Sequence, residues 1–320
     1  MVSCEVRVTT YKRPDLLKRC LQSLIGQTYS TWQALVIDDS PEQEGRSIVD
    51  EIGDSRIIYQ PNPVNLGCAK NLDYAFQSSA MLGGSYAFVL EDDNYLYPEF
   101  IYENIRLIEE NQVAIVLRNQ DKRVEKDEQS IALNQTSRGR WFNRGIYSPL
   151  EVHARLFFCE GISNGGLFWS TTRIKSNLQV GERVADSWHQ EIFRTFQICD
   201  SIFFEPTPLC VWTEFEFVKQ ARNRSIRSWF AGETEYNRAT QSVLIHLLHK
   251  HGDSLVQAAL KVAADREEEL ITLERQLLNI FYTNYNFQYV NRLGQWGLLV
   301  KNRLRYQLFA NEFVQILSSS

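Results

Sequence analysis

Tyr86-Ala87-Phe88-Val89-Leu90-Glu91-Asp92-Asp93 runs five apolar residues directly into three carboxylates. A short apolar run of this kind is a strand buried on both faces, far too brief to cross a membrane. Three adjacent carboxylates repel one another unless compensated, which leaves two readings: a solvated turn, or a divalent cation held by hard oxygen ligands. The rest of the first 120 residues decides between them. Glu5 to Thr10, Ala34 to Ile37, Arg56 to Tyr59 and Val113 to Leu117 are further short apolar or β-branched runs. Helical spacings separate them: Leu17, Leu21 and Leu24 after Pro14, then Ser47 to Ile52, Ala69 to Phe76 and Pro98 to Ile108. Proline suits the first turn of a helix, and the leucine spacing gives one apolar face. Strands alternating with amphipathic helices predict an α/β fold, with a mostly parallel central sheet covered on both faces and a helical region after it. Such sheets collect ligands at the carboxyl ends of their strands. There the polar residues crowd: Thr9-Thr10-Tyr11, Asp38-Asp39, Asn65 to Asn71 and Glu91 to Asn94.

These stretches, taken together, resemble the nucleotide-binding half of the GT-A (Rossmann-like) glycosyltransferases, and within them glycosyltransferase family 2. Val8-Thr9-Thr10-Tyr11-Lys12-Arg13-Pro14 is similar to the family's opening strand and loop, and Val36-Ile37-Asp38-Asp39-Ser40 to its second strand end. Asn65-Leu66-Gly67-Cys68-Ala69-Lys70-Asn71 resembles its third segment, and Leu90-Glu91-Asp92-Asp93 its DXD site. The resemblance implies that Thr9, Tyr11 and Arg13 line a nucleotide pocket, with Asp38 or Asp39 accepting the base N–H. Asn65 and Gly67 belong to the same wall, and Lys70 approaches a diphosphate. Glu91 and Asp92 flank Asp93, which is the direct ligand of a divalent cation, Mn²⁺ or Mg²⁺. A carboxylate suits the N3–H of uracil, so the expected donor is a UDP-sugar. Without that resemblance Asp38 reads as a helix cap, Asn65 and Gly67 as a plain turn, and Arg13 and Lys70 as exposed surface.

The acceptor side is less legible. Gly161-Ile162-Ser163-Asn164-Gly165-Gly166 resembles a glycine-rich segment, so Gly165 and Gly166 are expected to admit the donor sugar close to the backbone. An inverting transferase needs a base for the acceptor hydroxyl. The family carries it in a Glu-Asp pair whose aspartate lies some six residues before an arginine; counting back from Arg194 reaches Trp188, with Ser187 before it. Asp186, Glu191 and His189 are the local substitutes, in that order. The competing readings are an N-cap for Asp186 and an ion pair with Arg194 for Glu191. Lys219, Arg222, Arg224 and Arg227 form the densest basic run, expected to close over a donor diphosphate. A sugar-nucleotide pyrophosphorylase would open on a glycine-rich phosphate loop, and Thr9 to Arg13 holds no glycine. A non-catalytic nucleotide-sugar-binding scaffold is the alternative of another class.

The whole chain has 320 residues, 44% hydrophobic and 23% charged, with a net charge of −5. That fits a large α/β domain with an appendage, and argues against a nucleic-acid partner. The expected division is a catalytic domain over 1–217, donor-binding over 1–120 and acceptor-facing over 121–217, then a loop and helices over 218–320. Six cysteines without CxxC spacing read as reduced, mostly buried thiols. No signal peptide is read at the start, so the expected location is cytoplasmic, with peripheral contact at the inner membrane face as an option. Arg118 to Arg144 reads as a polar excursion, and Ser201 to Phe204 as a late strand closed by Pro206 and Pro208. Trp296 to Tyr306 mixes apolar and basic residues. It is expected to pack on the catalytic domain or a second copy, or else to lie on an anionic membrane. The acceptor, a glycan, a lipid-linked saccharide or a small molecule, is left open.

Overall fold

The computed structural model describes residues 3–126, 129–181, 187–215, 226–264 and 266–286. Asp186, Arg222, Arg224 and the 296–306 stretch lie outside these residues. β1 (Cys4–Thr10), β2 (Trp32–Asp38), β3 (Ile57–Pro61) and β4 (Tyr86–Glu91) are linked by α1 (Pro14–Ile25), α2 (Glu44–Ile52) and α3 (Cys68–Ala75). All four strands pair in parallel, in the order β3-β2-β1-β4. Parallel pairing requires a crossover after each strand, and each crossover helix covers a sheet face. Every residue of β1 is buried, as expected for a strand covered on both sides. On α1, Pro14 sits in the first turn and Leu17, Cys20, Leu21 and Leu24 form the buried stripe.

Beyond β4 come the two-residue β5 (Tyr95–Leu96), α4 (Phe100–Asn111), β6 (Ile115–Lys126), β7 (Gln129–Thr136), β8 (Gly145–Tyr147) and α5 (Pro149–Ala154). A 3-10 turn (Arg155–Phe158), β9 (Leu167–Ser170), α6 (Ser187–Gln197) and β10 (Ile202–Phe215) follow. β9 inserts antiparallel between β4 and β6, and β6 pairs in parallel with β10. Two sequence expectations need correction here. Arg118 to Arg144 is not simply an excursion: β6 continues to Lys126 and turns back as β7. The polar residues can stay in the sheet because they find partners far along the chain. Buried Arg118 donates to Asn104 Oδ1 (2.8 Å) and the Thr207 carbonyl (2.9 Å). Pro206 and Pro208 do not end the late strand either, because a register shift between Glu205 and Cys210 accommodates them. All six cysteines are free; Cys4, Cys20 and Cys210 are buried, whereas Cys68 and Cys199 are exposed.

α7 (Ile226–His251), α8 (Asp253–Ala263) and α9 (Glu267–Asn286) complete the described chain. Their apolar stripes meet α5, the 3-10 turn and α6 in a second core that includes Leu156, Phe157, Ile192, Leu244, Leu247, Leu255 and Leu273. Thus these helices bury their stripes on α5, the 3-10 turn and α6 of the same chain. Among the described residues no helix is long and apolar enough to cross a membrane.

Candidate active site

The register of the parallel strands brings four loops to one level. Thr9 pairs with Ile37 on one side and Glu91 on the other, and Thr10 pairs with Asp38. Two backbone bonds then carry the pairing one residue past the strands: Asp39 N–H to Thr10 O (3.0 Å) and Asp92 N–H to Thr9 O (3.1 Å). The residues anticipated at the strand ends therefore do share one rim.

Within it the carboxylates divide the work. Asp92 is buried and points back into the protein, accepting from the Thr10 hydroxyl (2.8 Å), the Tyr11 N–H (3.4 Å) and Arg13 (3.2 Å). Asp93 is more open and accepts a 2.8 Å bond from the same Arg13, whose side chain is half exposed. The backbone carbonyl of Asp93 is held by Arg19 at 2.6 Å. Burial pushes the Glu91 carboxyl up to about 8, helped by the charges of Asp93, Glu191 and Asp92, with Arg13 pulling the other way. Asp92 is pushed up to about 6, again chiefly by burial and then by Asp93. Asp93 moves upward too, for the same first reason, and is held back by Arg13. Three adjacent carboxyl groups thus face mainly Arg13, with Arg19 acting on Asp93 as well, so the cluster carries more acid than neighbouring base.

That excess of acid is the observation by which a divalent cation fits. Among the described residues no three His, Cys, Asp or Glu side chains form a self-sufficient metal cage. Mg²⁺ and similar ions bind through one or two carboxylates, with substrate phosphates completing the shell. Asp93 is the carboxylate available for this, since Asp92 is spent on the Thr10–Tyr11 loop.

The second wall is built around Asp39. Its carboxylate accepts from the N–H groups of Leu66 (2.7 Å) and Gly67 (2.9 Å) and from Asn62 Nδ2 (2.9 Å), while its carbonyl accepts from Asn65 Nδ2 (2.9 Å). Gly67 sits at φ +81° with open space where a Cβ would be, so glycine is required there by backbone conformation. Asp38 is fully buried and accepts from Ser40 N–H (2.8 Å), Gly45 N–H (3.1 Å) and the Tyr59 hydroxyl (2.8 Å). Both aspartates thus hold their own loops in shape. Tyr11 is 46% exposed beside them, and Lys70 lies exposed on α3.

Gly165 and Gly166 pack closely on their own sheet. A Cβ on Gly166 would lie 2.2 Å from the Arg118 carbonyl oxygen, and one on Gly165 would lie 2.5 Å from Gln120 Nε2. Their own sheet, through β6, fills the space. The competing Glu191–Arg194 ion pair does not form. Arg194 is wholly buried, its guanidinium 3.6 Å above the Phe76 ring and bonded to the Leu178 carbonyl at 2.7 Å. Glu191 turns the other way, accepting from Arg138 (2.8 Å) and from the Asn164 N–H (3.0 Å). That direction brings its charge within reach of Glu91. His189 is half-buried on the same helix.

Glu160 is a further member that motif reading passed over. It lies 3.4 Å from Arg138, and its carboxyl is raised by burial despite Arg138, with Glu191 adding to the rise. Position in sequence carries no signal for it, because Arg138, Glu160 and Glu191 meet only through the fold.

Comparison with known proteins places this architecture. The chain superposes on structures of TarS from S. aureus. The 1–349 fragment solved with UDP-GlcNAc gives a TM-score of 0.58 at 14% identity, covering 87% of this chain and 80% of that one. A longer TarS structure gives 0.56 at 13% identity, covering 82% of this chain but 43% of that one. At such identity the likeness concerns the fold, which is that of GT-A glycosyltransferases. Among curated proteins, CgeD of Bacillus subtilis (strain 168) is 30% identical over 97 residues, 29% of this chain. The match spans 23% of CgeD's own length. The family described as glycosyl transferase family 2 matches residues 5–164, half of the chain and all four strand-end segments, and the chain belongs to that family.

Proposed function

We propose that the chain moves a sugar from a nucleoside diphosphate sugar, a UDP-sugar by preference, to a hydroxyl acceptor in glycan or glycoconjugate biosynthesis. One observation carries the reading: Thr9 to Arg13, Asp38-Asp39, Asn65 to Asn71 and Glu91 to Asp93 share one level rim around an acidic centre short of positive charge. The TarS fragment has been solved with UDP and with UDP-GlcNAc, which supports a uridine donor here. In this proposal Asp92 holds the Thr10–Tyr11 loop against which the nucleoside lies, and Tyr11 offers it a ring face. Asp39 keeps the Asn65–Gly67 loop closed and uses its remaining lone-pair capacity on the base. Lys70 and the 222–224 arginines serve the diphosphate. Asp93 holds Mn²⁺ or Mg²⁺, which when bound neutralises the departing diphosphate as a Lewis acid.

Transfer with inversion needs a base opposite that leaving group. Asp186, Glu191 and His189 remain the candidates. Glu191 is the one whose charge reaches Glu91, and Arg138 and the Asn164 N–H fix its position. A hexosyl donor, the 1–217 and 218–320 division and a membrane-side acceptor belong to the same proposal.

The test is a thermal-stability screen against nucleotide sugars with Mn²⁺, since a ligand that binds only the folded state raises its melting temperature. Uridine donors are expected to shift it most; a flat panel would remove the donor reading. With the donor identified, Asp186→Ala should keep donor binding and lose transfer. Retained turnover in that variant moves the base to Glu191 or His189, to be resolved with Glu191→Gln and His189→Gln.

A further inference from the structure

The segment that leaves the acid cluster at Arg138 runs onto the helical unit and there lines a second, oppositely charged cavity. Trp141 links the two: its backbone N–H bonds the Arg138 carbonyl (2.9 Å), and its ring stacks on Phe158 with centroids 5.3 Å apart. Beyond it, Arg140, Arg155, Lys261 and Arg266 converge with Trp141 and Tyr147 on a cavity of about 190 Å³. That is several times the roughly 30 Å³ share of a liquid water. Among the described residues no carboxylate lines it, although Glu151 lines the adjoining cavity together with Arg155 and Lys261.

The four cations are unequally satisfied. Arg140 pairs with Glu269, and Glu268 lies 4.0 Å away. Arg155 is 6% exposed and is held in place by the Trp141 carbonyl (2.8 Å) and the Glu151 carbonyl (2.5 Å). Its guanidinium lies over the rings of Phe142 (4.1 Å) and Tyr147 (4.6 Å). Burial pushes it down to about 10, with Tyr147 and Glu151 pulling the other way and Arg266 adding a smaller repulsion. Arg266 donates Nη2 to the Arg140 carbonyl (2.6 Å), while its Nη1 is buried with no partner among the described residues. Lys261 makes no ion pair among those residues, and the nearby Glu151 carboxylate is spent on the Ser148 cap. Arg155 and Arg266 brought together in a recess, with an Arg266 N–H that has no partner among the described residues, cost free energy that a bound oxyanion returns. Arginine forks match phosphate oxygens in shape as well as charge.

We propose that this cavity binds a phosphate-ester group, and that the group belongs to the acceptor. The second clause rests on the transferase reading, because the same segment joins the cavity to the Glu160–Glu191 cluster beside the donor rim; the first clause does not. Arg155, Arg266 and Lys261 would grip the phosphate, and the acceptor hydroxyl would be presented toward the acid cluster.

The experiment titrates the full chain, without metal or nucleotide, with inorganic phosphate, glycerol 3-phosphate and glycerol by calorimetry. Glycerol 3-phosphate is expected to bind more tightly than inorganic phosphate, and glycerol not at all. Arg266→Gln and Lys261→Gln should each weaken phosphate-ester binding roughly tenfold, the loss of one charge-assisted bond. Affinity for UDP with Mn²⁺ should stay as in the wild type, which also shows that both variants fold. No binding of either phosphate, or binding indifferent to both substitutions, overturns the site. Inorganic phosphate bound at least as tightly as the ester overturns the acceptor assignment. Loss of UDP binding in the wild type speaks against the donor reading alone.

Discussion

Asp92 and Asp93 adjoin in the chain but differ in what surrounds them. Asp92 is anchored by a hydroxyl, a backbone N–H and a guanidinium, whereas among the described residues the Asp93 carboxylate accepts only from the half-exposed Arg13. Replacing Asp92 by Ala strands the buried Thr10 hydroxyl and is expected to cost about 1–3 kcal/mol in urea denaturation. Asp93→Asn removes a carboxylate that its neighbours repel, and a surface pair that contributes little, so stability should change by less than about 0.5 kcal/mol. The sequence does show which residues stand at the rim, because each follows a strand whose apolar run is local. It does not show their division of labour, since Thr10 and Asp92 are 82 positions apart. Glu160 and its partner Arg138 were illegible for the same reason.

At the scale of elements, β6 and its neighbours were the hardest to read. Arg118, Asn119 and Gln120 are polar yet buried, and they remain in the sheet because distant groups satisfy them: Asn104, the Pro206 and Thr207 carbonyls, and Ser137. A pattern based on hydrophobicity sees a loop there. The Gly165–Gly166 segment is packed against this strand, so Gly166→Ala should destabilise the fold by about 1–3 kcal/mol through overpacking against the Arg118 carbonyl. Equilibrium unfolding measures this directly, and an unchanged midpoint would mean that the segment has room to move. By contrast, α1 to α4 were legible almost residue by residue, since their apolar stripes and strand spacing are local properties.

The described residues are held by two cores, and the second is where α7 to α9 meet α5, the 3-10 turn and α6. Leu247→Ala there should cost about 2–5 kcal/mol. His153, buried beside His251 and Lys250, gives the same region a pH dependence. Burial, then the charges of His251 and Lys250, lowers its pKa to about 4, and neither ring nitrogen has a hydrogen-bond partner among the described residues. The unfolded chain therefore binds this proton more readily than the folded one. The contribution is complete above about pH 6.5 and is lost as pH falls toward 4, amounting to about 3 kcal/mol. Carboxyls raised by burial, such as Glu91, act in the opposite sense, so the measurement is the difference between wild type and His153→Gln in urea midpoints at pH 7 and pH 5. The variant is expected to lose less on acidification; equal losses would mean that His153 already titrates normally.

The central claim is that the strand-end rim is a nucleotide-diphosphate site organised around Asp93. Calorimetric titration of UDP with Mn²⁺ present and absent, into the wild-type chain and Asp93→Ala, tests it most directly. The account predicts binding by the wild type that strengthens with Mn²⁺ and loses that strengthening in Asp93→Ala. UDP binding that ignores both the metal and the substitution, or no binding at all, would contradict it.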